Sequence, residues 1–217
     1  VNVDTVFKGL IDIGDTSTAG ETLFNKDTAM TRLATALFAF AFSLSVAPAI
    51  AGDFADAAAV AEDLVATDTQ QAAEAARIAY ADFTGSLPFA LVSAFFVTEP
   101  AEGYGMYTEH AGSFKPGQPI LLYCEPIGLG WKEGGRGFQS AITVDFEITD
   151  SAGQVLGGQK KFGSFKFDSA VRNQEIMINL TMNVDGAEAG DYQLIYTFTD
   201  ENSGETAVLP MPFSIAP

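Results

Sequence analysis

From Ile142 to Thr149 the chain alternates without a break: Ile142, Val144, Phe146 and Ile148 are apolar, while Thr143, Asp145, Glu147 and Thr149 are polar. Ile176, Ile178, Leu180 and Met182 alternate in the same way with Met177, Asn179 and Thr181, and Tyr192, Leu194, Tyr196 and Phe198 repeat the pattern. A period of two sends successive side chains to opposite faces of a strand. Strands with one apolar and one mostly polar face suit antiparallel sheets packed face to face, not parallel strands buried on both sides. The pattern predicts strands at Phe89–Thr98, Pro119–Glu125, Ser140–Asp150, about Gln154–Phe162, Glu175–Asn183, Tyr192–Thr199 and Thr206–Ile215.

The punctuation between them agrees. Asp150-Ser151-Ala152-Gly153 and Asn202-Ser203-Gly204 place Gly where a hairpin turn needs positive φ, and Lys115-Pro116-Gly117-Gln118 is a Pro-Gly turn. About seven short strands separated by such turns predict an antiparallel immunoglobulin-like β-sandwich over residues 88–217. A closed barrel is the alternative.

Upstream of Pro88 the period changes. Residues 52–87 are rich in Ala with Glu, Gln and Arg, the composition of a helix. Ala57, Val60, Ala61, Leu64 and Val65 form one narrow apolar stripe; Ala72, Ala75, Ala76, Ile78 and Ala79 form a second. Asp68, followed three places later by Gln71, is the expected N-cap of the second helix, which Gly85 and Pro88 end. Packing against the sandwich, pairing with another chain and acting as a spacer all remain open for this segment.

Further upstream, Arg32 precedes an apolar run from Leu33 to Val46, and Ala49-Ile50-Ala51 then offers the small-x-small pattern of a signal peptidase site ahead of Gly52. Charge, apolar run and cleavage site in that order predict a signal peptide at residues 30–51. A membrane anchor is the competing reading, but Pro48 breaks the end of the apolar stretch, and Asp53 and Asp56 follow it where a stop-transfer segment has Lys or Arg. Residues 1–29 are expected to be an upstream extension, with Met30 as the initiator; a long n-region removed with the signal is the alternative.

Charge narrows the partners. Eleven Lys and Arg stand against 28 Asp and Glu, and removal of the first 51 residues leaves eight against 23. Such a surface repels phosphate backbones, which excludes nucleic acid as a partner, and it disfavours anionic membranes. Cys124 is the one cysteine, so no internal disulfide forms. On its strand it shares a face with Ile120 and Leu122, opposite Tyr123 and Glu125, the placing of a buried thiol.

Three segments carry a resemblance. FKPGQPILLYCEP, FEITDSAGQV and AGDYQLIYTFTDENSGETAVLPMPFSI are similar to segments, in the same order, of uncharacterised exported bacterial proteins that end in an immunoglobulin-like β-sandwich. Glu188-Ala189-Gly190-Asp191-Tyr192-Gln193-Leu194 resembles the entry to strand F of such domains, which implies that Tyr192 is the corner tyrosine, its hydroxyl bonded back to nearby backbone. Leu194 stands where antibody domains have Cys. The resemblance implies no activity.

No catalytic or cofactor motif is present. His110 is the one histidine, and no nucleophile elbow accompanies it. One His and one Cys do not make the usual zinc set. Asp200-Glu201-Asn202-Ser203-Gly204-Glu205 clusters oxygens, yet its spacing is that of a hairpin turn and not of an EF-hand. The more suggestive residues are aromatic. Tyr104, Met106 and Tyr107 lie in the loop EPAEGYGMYTEHAGSFKPG, and Trp131, Lys132, Arg136 and Phe138 in GLGWKEGGRGF. Tyr104, Tyr107, Trp131 and Arg136 are the candidate surface for a sugar ring or a protein partner; capping an open end of the sandwich is the packing alternative. The expectation is an exported, non-enzymatic binding or assembly module of the cell envelope that meets an envelope protein or glycan, needs no cofactor and has no stable membrane insertion after cleavage. A carboxylate-based hydrolase and a protein anchored by uncleaved Leu33–Ala51 are the alternatives.

Overall fold

The computed structural model describes residues 51–184 and 186–217. The upstream extension and the apolar segment through Ile50, including Ala49 of the expected cleavage site, lie outside them. Two helices open the described chain, α1 (Ala51–Leu64) and α2 (Thr69–Gly85). The break between them is set by Asp68. With φ −151° and ψ 95° it leaves the helical region, and its Oδ1 accepts from the Gln70 and Gln71 amides at 3.1 and 3.0 Å. Gln71 Nε2 donates back to Asp68 Oδ2 at 2.8 Å, so the cap also fixes the residue three places on. The rings of Phe54 and Phe83, 4.8 Å apart, close the far end of the hairpin. α2 joins the rest of the chain through Thr84, which is 1 % exposed and donates to Gln174 Oε1, and through an ion pair between Asp82 and Arg172.

Eight strands follow: β1 (Ala90–Val97), β2 (Ile120–Ile127), β3 (Lys132–Gly134), β4 (Gly137–Asp150), β5 (Val155–Ser169), β6 (Ile178–Met182), β7 (Gly190–Asp200) and β8 (Thr206–Ile215). One sheet has the order β1-β2-β6; in the other, β7 lies between β4 and β8, β5 takes the opposite side of β4, and β3 pairs with the start of β4. All of these pairings are antiparallel. β2 and β6 are neighbours in one sheet and β4 and β7 in the other, while the chain changes sheet between β2 and β3, between β5 and β6 and between β6 and β7, the Greek-key path of an immunoglobulin-like sandwich. The alternation along the strands fills the space between the sheets: Ile120, Leu122 and Cys124 from β2 and Ile178, Leu180 and Met182 from β6 meet Ile142, Val144, Phe146 and Ile148 from β4 and Leu194, Tyr196 and Phe198 from β7.

Three stretches depart from the expected pattern. The strand expected at Glu175–Asn183 is confined to Ile178–Met182, the part that pairs with β2. β5 continues past Phe162 to Ser169, because Gly163 stays in the ladder opposite Val144. Between Gln159, opposite Phe146, and Gly163 the strand bulges around Asp145. Lys161 takes a φ of 52° there, its amide donating to Asp145 Oδ1 at 2.7 Å while Lys160 Nζ meets Oδ2 at 3.0 Å. GLGWKEGGRGF is in large part a hairpin, not a loop. β3 and β4 are joined by Gly135-Arg136, with positive φ at Gly135 alone, and Phe138 belongs to β4. The last hairpin is held by Asp200, which is fully buried. Its carboxylate accepts from Gly130 N at 2.7 Å, Asn202 N at 2.9 Å and Ser203 Oγ at 2.8 Å, so both Asp200 oxygens of the acidic turn are bonded to protein donors. Gly130 makes this approach possible, since a Cβ there would stand 2.9 Å from Asp200 Oδ2.

Candidate binding surface

The two faces of β2 are both buried. Ile120, Leu122 and Cys124 face the other sheet as the alternation requires, but Tyr123, on the opposite face, is also 0 % exposed and Glu125 is 8 % exposed. The cover is the connection between β1 and β2. Its start and end are fastened to the sheet: Thr98 N donates to Thr108 O and His110 N to Phe96 O along the free edge of β1. In between, Ala101 is clamped by Asn179 of β6, whose Oδ1 accepts from Ala101 N at 3.1 Å and whose Nδ2 donates to Ala101 O at 2.9 Å. Val97, Ala101 and Tyr123 form a second small core there, with Phe95, Tyr107, Leu121 and Met177 packed against it.

Tyr107 supplies the aromatic part of this cover. Its ring lies 4.5 Å from that of Tyr123 and 5.2 Å from that of Phe95. Gly103 to Met106 form a turn closed by Met106 N to Gly103 O at 3.0 Å, with φ of 70° at Gly105 where a type II turn requires it. The turn is pinned by a polar chain. Gly105 N donates to Tyr123 Oη at 2.7 Å, and Tyr123 Oη donates to Glu125 Oε1. Removal from water, then the carboxylate that accepts its proton, push the Tyr123 phenol up to about 12. Tyr104 is raised as well, by burial first and then by the Glu125 charge. Tyr104 and Met106 nevertheless stand out from the turn, 42 % and 62 % exposed. Beside them a polar cleft of about 410 Å³ opens between Glu99, Glu102, Met106 and Tyr107.

Trp131 and Arg136 lie elsewhere. Trp131 is half-buried and packs against the core between the sheets, next to Gly130 and the Asp200 turn. Arg136 is on the β3–β4 turn, its amide bonded to Asp168 Oδ1 at 2.9 Å and its side chain 80 % exposed, 3.6 Å from Oδ2. The four aromatic and basic residues therefore divide between two places. Tyr104 and Tyr107 cover the outer face of the three-stranded sheet, and Trp131 and Arg136 belong to the end carrying the last hairpin.

The remaining residues of interest have structural partners. His110 stacks on Phe114 at 4.1 Å with its Nε2 3.3 Å from Gln118 Nε2. Cys124 is buried, and burial followed by the nearby Glu125 charge pushes its thiol up to about 12. Tyr192 Oη donates to Glu188 O at 2.8 Å, tying the strand to the corner before it. Among the described residues no helix is long and apolar enough to cross a membrane. The pinned turn was missed in the strand pattern, although one signal was available. AFFV and ILLYC are continuous apolar runs, the mark of strands buried on both faces.

No protein-family model matches the chain, and no curated protein matches it. Among solved structures it is similar to the CARDB domain of a Pyrococcus furiosus protein, at 9 % identity and a TM-score of 0.26 over 59 % of this chain and 93 % of that one. The crystal structure of that domain in complex with di-metal ions gives 13 % identity and a TM-score of 0.27, covering 60 % and 94 %. The putative ApaA protein from Bordetella pertussis gives 13 % and 0.20, covering 59 % and 94 %. Likeness at this level carries nothing about ligands or activity, and the sandwich rests on its own strand pairings.

Proposed function

We propose that the protein is an exported, non-catalytic binding or assembly module of the cell envelope, and that the Tyr104 turn is its contact surface. The observation that supports this reading most is the contrast between fixing and exposure. Hydrogen bonds to Asn179 and Tyr123 hold the backbone on both sides of Tyr104, while Tyr104 and Met106 keep 42 % and 62 % of their surface exposed. Aromatic and Met side chains on a rigid turn meet a partner with little loss of conformational freedom. Export is supported by the charge, apolar run and small-x-small site before Gly52. An envelope protein or a glycan is the partner class that suits an aromatic platform on an acidic surface.

The test has two parts. Intact mass and N-terminal sequence of the protein from its native envelope should show a start at Gly52. A chain retaining Leu33 to Ala51 and held in the membrane would replace this reading with an anchored protein. Crosslinking in intact envelopes should then give an adduct that Tyr104→Ser with Met106→Ser removes. An adduct unchanged by both substitutions would overturn the assignment of the turn.

A further inference from the structure

The helical hairpin holds an apolar groove that the sandwich does not fill. Ala61, Ala72 and Ala79 make its floor at 8 %, 7 % and 3 % exposure, and Phe54, Val65 and Tyr80 stand along its walls at 36 %, 65 % and 47 %. Alanine lets the helices approach but leaves no side chain long enough to close the space above them, and about 490 Å³ stays open. Five of the ten exposed large apolar residues among those described belong to this hairpin: Phe54, Val60, Ile78 and Tyr80 on its helices and Val65 in the turn between them. An apolar surface concentrated in this way marks a contact site.

Charge distinguishes the possible occupants. Residues 51–85 carry seven acids against one base, Arg77, and that base is already paired with Glu74. The one charged side chain lining the groove is Glu62. A second copy would bring two strongly negative hairpins together, whereas a helix with Lys or Arg beside its apolar face satisfies both the groove and the field around it. We infer that the groove between α1 and α2 docks an amphipathic, positively flanked helix of a partner protein. This deepens the binding-module reading with a second surface, whose Tyr80 wall lies near enough to Tyr104 for the two phenols to interact.

The probe is a labelled peptide of about 18 residues, roughly the length of α2, with Leu on one helical face and Lys on the other. A twin peptide has Glu in place of Lys. Fluorescence polarisation with the full chain at about 0.1 M salt should show binding of the Lys peptide alone. Ala76→Arg places a cation in the groove and should weaken binding by about ten-fold or more. Ala73→Arg serves the same purpose if the first variant loses helicity. Val92→Arg, the same charge change on β1, and Met106→Ser, at the exposed tip of the turn, should each stay within about two-fold of wild type. Equal weakening by Val92→Arg would reveal general charge attraction and overturn the proposal. So would equal binding of the Glu peptide, no binding at all, or a dimer dissociated by Ala76→Arg, which would assign the groove to a second copy. Because Met106→Ser is expected to be silent here, failure of the turn assignment leaves this result intact.

Discussion

Two buried tyrosines on neighbouring layers invite the same substitution with opposite results. Tyr196 is 0 % exposed in the core between the sheets, and its hydroxyl is without a hydrogen-bond partner among the described residues. An unmet buried hydroxyl costs on the order of 1–3 kcal/mol. Tyr196→Phe removes that cost and leaves a void the size of one oxygen, worth on the order of 0.3 kcal/mol. The net expectation is a gain of about 1 kcal/mol. Tyr123 is as deeply covered, but its hydroxyl accepts from Gly105 N and donates to Glu125. Tyr123→Phe strips the donor from a carboxylate that is 8 % exposed and leaves an amide unpaired, a loss of about 2 kcal/mol or more.

Urea and thermal denaturation of both variants read these values directly. For a domain of this size, 1 kcal/mol corresponds to roughly 3–5 °C in Tm. The urea midpoints should move in opposite directions with unchanged slope, since neither variant alters the surface exposed on unfolding. Loss of 1 kcal/mol or more by Tyr196→Phe, or a neutral Tyr123→Phe, would refute the reasoning, which rests only on which hydroxyl has partners.

Alkaline pH should act through the same groups. An unfolded tyrosine ionises near 10, while Tyr123 is pushed up to about 12 in the fold and Tyr104, Tyr192 and Tyr196 are raised as well. Above pH 10 the unfolded chain has lost protons that the folded one retains, so this stability is complete below about pH 10 and falls by up to ~1.4 kcal/mol per unit for each of the fully buried Tyr123 and Tyr196, and by less for the solvent-screened Tyr104 and Tyr192. Urea midpoints at rising pH should show the decline, and Tyr123→Phe should make it shallower; a flat profile would count against it. Cys124, buried and raised to about 12, should resist a disulfide reagent at about pH 8 until denaturant is added. Rapid labelling of the native protein would contradict its place in the core. Asp200→Ala should cost about 3 kcal/mol by urea denaturation, because three donors lose their acceptor in a fully buried site; a cost below about 1 kcal/mol would show that solvent replaces the carboxylate.

Much of the fold was legible because strand periodicity is a local signal. Ile142 to Ile148 and Tyr192 to Phe198 announce both their structure and the face they bury, and Gly153 and Gly204 mark the turns that their positive φ requires. Asp68 with Gln71 located the start of α2 for the same local reason. β3 was not legible, since Lys-Glu-Gly has no apolar residue and the strand exists only because Gly135-Arg136 returns the chain onto β4. The bulge in β5 depends on Asp145 of another strand, so no reading of β5 alone could place it. The alanine stripes were visible, but spacing alone does not say whether a small side chain meets a neighbour or leaves a groove.

The candidate binding surface was hidden by the same logic that revealed the strands. Tyr123 and Glu125 occupy the positions that alternation assigns to a polar, solvated face, and the loop that buries them is rich in Gly, Pro and Glu. What turns that loop into a cover is nonlocal: Asn179 of β6 holds Ala101, and Tyr123 of β2 holds Gly105. Each anchor is a polar group whose partner is backbone, so the loop needs little apolar residue content of its own to stay down. The apolar share comes from Tyr107, wedged against Tyr123 and Phe95. Tyr104, its phenol raised by burial and by Glu125, keeps 42 % of its surface exposed beside them. A side chain held at a fixed point by its neighbours' bonds, yet exposed itself, is what distinguishes a presented residue from a buried one, and periodicity cannot make that distinction.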